Sequence, residues 1–153
     1  LPYTFPMRLT FTKRSGKYDD LHIARDGSVE TVACPKQGII PHDMVHYAVE
    51  SILAHRGFLT LVAEGQTAGP RVVLSGDSEE AIERLVETFQ AEMWGGRVSA
   101  DDVLATFRHA CAARGHGTIP VSPDDIAAIR ARIDTLTEEW TQLPVNGALT
   151  FSF

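Results

Sequence analysis

Met7-Arg8-Leu9-Thr10-Phe11-Thr12 alternates apolar and polar side chains at the two-residue period of a half-buried strand. The same alternation returns after the Arg14–Lys17 turn, with Leu21 and Ile23 set against His22 and Ala24. Asp26-Gly27 then reads as a hairpin turn, since both residue types tolerate positive φ. A third strand follows from Val29 to about Cys34 and stops at Pro35, which has no donor for a ladder. Three strands joined by short turns predict an antiparallel meander.

The period changes at Pro41, a residue suited to a first helical turn. Val45, Ala48, Val49, Ile52 and Leu53 recur at helical spacing, and Gly57 is placed to end that helix after Arg56. The short apolar run Phe58 to Ala63 fits strand or helix and is read as strand. Gly65 to Pro70 reads as a loop, and Arg71 to Leu74 as a short strand at best.

Three helices are expected next. Asp77 or Ser78 would cap the first, Ile82, Leu85, Val86, Phe89 and Met93 would form its buried face, and Gly95-Gly96 would stop it. Ser99 would cap the second, with Val103, Phe107, Ala110 and Cys111 inward. Ser122-Pro123-Asp124-Asp125 opens the third. Its Ile126, Ile129, Ile133, Leu136 and Trp140 make a 3-4-3-4 seam, for which the Ile82 helix is the expected partner. Leu149, Phe151 and Phe153 alternate with Thr150 and Ser152, a last strand that could rejoin the N-terminal sheet. The expected architecture is a single α+β domain over residues 1–153, an antiparallel sheet (N-terminal meander plus C-terminal strand) covered by about four helices.

Charge narrows the partners. Residues 1–36 carry six basic and four acidic side chains, so the net charge of -6 resides in the remainder, which sums to -8. An acidic body repels phosphate backbones, and nucleic acid is not an expected partner. No apolar run approaches the roughly 18 residues of a membrane-spanning helix, and no secretory signal is visible, so neither is a membrane. Cys34 and Cys111 lack any metal-ligand spacing and read as free buried thiols, in keeping with a cytoplasmic location. A homo-oligomer or a protein partner is compatible with this composition.

The chemically suggestive segment is Pro41-His42-Asp43-Met44-Val45-His46, which matches H-E-x-x-H with Asp for Glu. Histidines at i and i+4 lie on one helix face about 6 Å apart along the axis, within reach of one metal. His42 and His46 are therefore candidate ligands of a divalent metal such as zinc. Asp43 is the candidate catalytic base, one methylene shorter than the usual glutamate. Glu50 lies about 12 Å along the axis from His42 and suits support of His46 as an i,i+4 partner better than ligation. A third ligand does not announce itself, and Glu64, His109 and His116 are distal candidates.

The run Pro41-His42-Asp43-Met44-Val45-His46-Tyr47-Ala48-Val49-Glu50 resembles a segment of a family of small bacterial proteins of unknown function. In that family N-terminal strands precede a P-H-D-x-V-H-aromatic-x-V-E helix, and a Leu-Pro-Val-x-Gly segment leads into an alternating strand. Leu143-Pro144-Val145-Asn146-Gly147 matches the second motif. The resemblance implies a shared fold and carries no activity with it. Two functions follow as expectations. The first is a non-catalytic binding or interaction module without a cofactor, its histidines structural. The alternative is a metal-binding protein, in the furthest case a zinc-dependent hydrolase, built on His42 and His46.

Overall fold

The computed structural model describes residues 7–36, 38–53, 58–64 and 76–153. The alternating segments form β1 (Arg8–Thr12), β2 (Tyr18–Arg25), β3 (Ser28–Pro35) and β4 (Ala148–Ser152), in one antiparallel sheet of order β3-β2-β1-β4. The C-terminal strand thus closes the sheet beside the N-terminal one. Arg25 pairs with Ser28, so Asp26 and Gly27 alone make the turn, and of the two only Gly27 takes positive φ, at 74°. Leu9, Phe11, Leu21 and Ile23 are fully buried while Arg8, Thr10, His22 and Ala24 between and beside them are more exposed, so one face of the sheet carries the core.

Among the described residues five helices supply the rest: α1 (His42–Leu53), α2 (Phe58–Ala63), α3 (Asp77–Gly95), α4 (Ala100–Ala113) and α5 (Pro123–Gln142). Helix α1 starts one residue after Pro41, whose carbonyl accepts from the Met44 and Val45 amides. Ser99 caps α4 through the Asp102 amide. Ser122 and Asp125 cap α5 reciprocally, with Pro123 in the first turn. Gly96 ends α3 with φ 91°.

Three expectations need correction. Phe58–Ala63 is helix rather than strand, because the Glu50 carboxylate accepts from the Leu59 and Thr60 amides and so satisfies donors that a helix start leaves open. Helix α3 is entered from extended Gly76 without a side-chain cap, so neither Asp77 nor Ser78 serves as one; both lie inside the helix. The α5 seam is buried throughout, but it packs on α1 and α4 rather than on α3. From α3, Glu92 accepts from Arg130 through two hydrogen bonds of 2.5 and 3.0 Å, and Arg97, past the end of α3, holds Asp134 at 2.6 Å. The expected end of α1 at Gly57, the loop at Gly65–Pro70 and the strand at Arg71–Leu74 lie outside the described residues.

The seam and the cap differ in what they contribute. Ile129→Ala should cost roughly 2–5 kcal/mol, because it leaves a void where α5 meets the core. Ser122→Ala should cost only about 1 kcal/mol. Urea denaturation of the two variants checks both values, and equal losses would contradict this ranking.

Candidate metal centre

His42 and His46 stand one turn apart at the start of α1, with ring centroids 4.9 Å apart in an edge-on arrangement. Facing them is α3. Its buried face of Ile82, Leu85, Val86 and Phe89 docks it on the core and leaves Glu83 on the flank towards α1. Glu83 and Gln90 are seven residues apart and so lie on nearly the same side of α3. As α1 advances from His42 to His46, the partners on α3 step back from Gln90 to Glu83. The two helices therefore run in opposite senses here.

Each ring uses its two nitrogens alike. The Nδ1 atoms point to supporting groups: His42 Nδ1 is 2.8 Å from Gln90 Oε1, and His46 Nδ1 is 3.1 Å from Glu50 Oε2. The Nε2 atoms converge on one carboxylate: His42 Nε2 lies 3.3 Å from Glu83 Oε1, and His46 Nε2 lies 3.0 Å from Glu83 Oε2. One donor atom from each of His42, His46 and Glu83 falls within 4.8 Å of the other two. Zinc bonds to nitrogen and carboxylate oxygen of about 2.0–2.2 Å, spread tetrahedrally, set neighbouring ligand atoms roughly 3.3–3.5 Å apart. The observed spread reaches 4.8 Å, so the side chains would have to draw together to hold such an ion. His46 is 2% exposed and His42 is 39% exposed, so the group opens to solvent on the His42 side.

Glu50 is fully buried and uses both oxygens. Oε2 accepts from His46 and the Leu59 amide, while Oε1 accepts from the Thr60 amide and hydroxyl. Burial works against a charged His46 ring, but Glu50 and Glu83 outweigh it and push its pKa up to about 10. Burial likewise opposes ionisation of Glu83, yet its hydrogen bonds to His42 and His46 hold it far below the usual carboxylate range.

Asp43 lies near this group but supplies none of its donor atoms. Its Oδ2 lies 3.8 Å from Cys34 Sγ on β3. Burial raises its pKa, with His46 and His42 pulling back in part. Burial and the neighbouring Asp43 push the Cys34 thiol up to about 12, which keeps it protonated at neutral pH in the metal-free protein. Of the distal candidates, Glu64 and His109 are exposed and His116 bonds the Gly117 carbonyl at 2.8 Å. None of the three joins the donor group. Sequence reasoning missed Glu83 and Gln90, whose only signal is their shared face on α3.

Comparison of the chain with protein families, with curated proteins and with solved structures returns no match. Among the described residues, no helix is long and apolar enough to cross a membrane.

The pKa shifts give a pH dependence for metal-free protein. A base whose pKa is raised by folding stabilises fully below its unfolded value, and that contribution fades as pH climbs through the folded value. His46 therefore supports the fold below pH 6.5 and withdraws support between 6.5 and about 10. Glu83, shifted down, contributes above its unfolded value of 4.5 and loses that contribution as pH falls below it. Thermal melts should show the highest Tm between these limits and a decline towards pH 10. His46→Gln should flatten the alkaline limb, and an unchanged limb would contradict the assignment.

Proposed function

We propose that this protein binds a divalent transition-metal ion, zinc foremost, through His42, His46 and Glu83. One observation carries the reading. Both Nδ1 atoms are held from behind by acceptors while both Nε2 atoms are directed at a single carboxylate. Metal-binding histidines are oriented in this way, the second nitrogen anchored to a carboxylate or carbonyl. Glu50 and Gln90 are the anchors. Two histidines and one glutamate form a three-ligand set that leaves a further position for solvent or ligand, on the side where His42 is exposed. The reading stops at binding, since Asp43, the candidate base, is engaged with Cys34. A reducing cytoplasm suits two free, buried thiols.

A second reading has its own support. His46 lies within hydrogen-bonding distance of a carboxylate at each nitrogen, which also describes a doubly protonated ring in a buried ion chain. The histidines would then be structural, and the protein a non-catalytic binding or interaction module.

Calorimetric titration of metal-stripped protein with zinc separates the two. The proposal expects one ion per chain and loss of stoichiometric binding in His46→Ala and Glu83→Gln. Glu50→Gln should weaken affinity by about 10–100-fold, the usual effect of removing an anchor behind a ligand. Cobalt should give the visible absorption of a tetrahedral site. Folded wild-type protein that takes up neither ion would establish the ion-chain reading instead.

A further inference from the structure

Lys13, Arg14 and Lys36 line one surface recess of about 400 Å³, together with Ile39, Trp140 and Val145. That volume lies at the lower end of the range for small-molecule sites. Three of the chain's 14 basic side chains thus meet at one place on a protein whose net charge is -6. None of His42, His46 and Glu83 lines the recess, so it stands independently of the metal centre.

The positive charge there is held in place and only partly met. The Lys13 ammonium donates to the Trp140 carbonyl at 2.6 Å and to the Leu143 carbonyl at 2.9 Å, at the C-terminal end of α5. It also stands 5.3 Å from the centroid of the Trp140 ring. The carbonyls of a helix end offset about half a charge. Among the described residues no carboxylate forms an ion pair with Lys13. Two of the three ammonium N–H groups are used by the carbonyls, which leaves one for a ligand.

The other two cations are already matched. Arg14 Nε lies 2.7 Å from Asp20 Oδ2, and Lys36 Nζ lies 3.5 Å from Asp19 Oδ1 and donates to the Arg14 carbonyl. The surplus is therefore one positive charge at most, on Lys13. It suits a single negative charge, whereas a phosphate dianion would bring a second one towards Asp19 and Asp20. The apolar lining sets what carries that charge. Ile39 is 42% exposed and Val145 51%, so hydrocarbon surface is left in water beside the ammonium. A hydrocarbon group laid over it would remove that surface from water.

We propose that this recess binds a small amphipathic monocarboxylate, its carboxylate on Lys13 and its aromatic or short aliphatic body against Ile39 and Val145. Binding is weak, because the recess is open to solvent and Lys13 keeps its carbonyl partners. A ligand of about ten non-hydrogen atoms would bind with a dissociation constant on the order of a millimolar.

NMR titration of the full chain with phenylacetate to about 20 mM should move the Ile39 and Val145 methyl signals and the Trp140 indole signal along one saturating curve. Hexanoate should move the same signals. Phenylacetamide has the same body without the charge and should bind at least about tenfold more weakly, since a charge-assisted hydrogen bond is lost. Equal binding of the amide overturns the proposal, as does a lack of saturable shifts at these side chains with both carboxylates. Phenyl phosphate binding more tightly than phenylacetate overturns it too, because the site would then favour a dianion. Lys13→Met keeps the hydrocarbon stem and removes the charge, and should abolish the carboxylate shifts. Lys13 also secures the end of α5, so Val145→Asp, at an exposed position, carries the test if the methionine variant does not fold. It sets a like charge beside the ligand and should weaken binding by about tenfold. Wild-type affinity in either folded variant overturns the proposal.

Discussion

The Glu50 carboxylate is the group on which the arrangement of the helices around α1 depends. It is buried at the centre of the structure, where an unpaired charge would cost several kcal/mol. Four donors remove that cost: His46, two backbone amides at the start of α2, and the Thr60 hydroxyl. Helix α2 has six residues and is far below the length at which a helix holds itself together. It exists because its first turn closes on Glu50 and because Leu59, Leu61 and Val62 are buried. At its other end Arg25 of β2 donates to the Val62 carbonyl at 2.7 Å, so polar clamps secure both ends.

From Glu50 the polar connections continue through His46 to Glu83, and from Glu83 through His42 to Gln90. One chain of hydrogen bonds therefore links α2, α1 and α3. At its buried end, loss of His46 or Glu50 leaves the other buried and short of a partner, which costs more than the bond itself contributed. The geometry of the two histidines is consequently set from outside α1 as much as by their spacing within it. That accounts for the close alignment of both Nε2 atoms on one carboxylate.

Local chemistry made much of this fold legible in the sequence. The alternation at Met7–Thr12 and Leu149–Phe153 fixes which residues face the core, whatever the pairing partner. Ser99 and Ser122 cap their helices by contacts within three residues, so no tertiary information is needed. Phe58–Ala63 was illegible for the opposite reason. Its apolar run suits either state, and a carboxylate from another helix decides between them. The α5 stripe shows the same limit: Ile126 to Trp140 reveals that a face is buried, not that α1 and α4 cover it. At the site, His42, His46 and the His46–Glu50 pair share one helix and follow from its periodicity. Glu83 and Gln90 follow only once α3 is known to run against α1.

The charge of the buried group bears on what it is suited to hold. Counting His46, Glu50 and Glu83 alone, a doubly protonated ring leaves two carboxylates facing one positive charge, a net of minus one with little water to screen it. A divalent ion bound to the neutral ring would bring the same three groups to zero while keeping the Nδ1 hydrogen bond to Glu50. Asp43, nearby and also burdened by burial, would gain from the same cation. In the proposed metal-binding reading, the same acidic surroundings would favour a divalent ion over a proton. In that reading the affinity would fall as pH drops and protons compete for His46, the sense expected of a histidine-ligated metal.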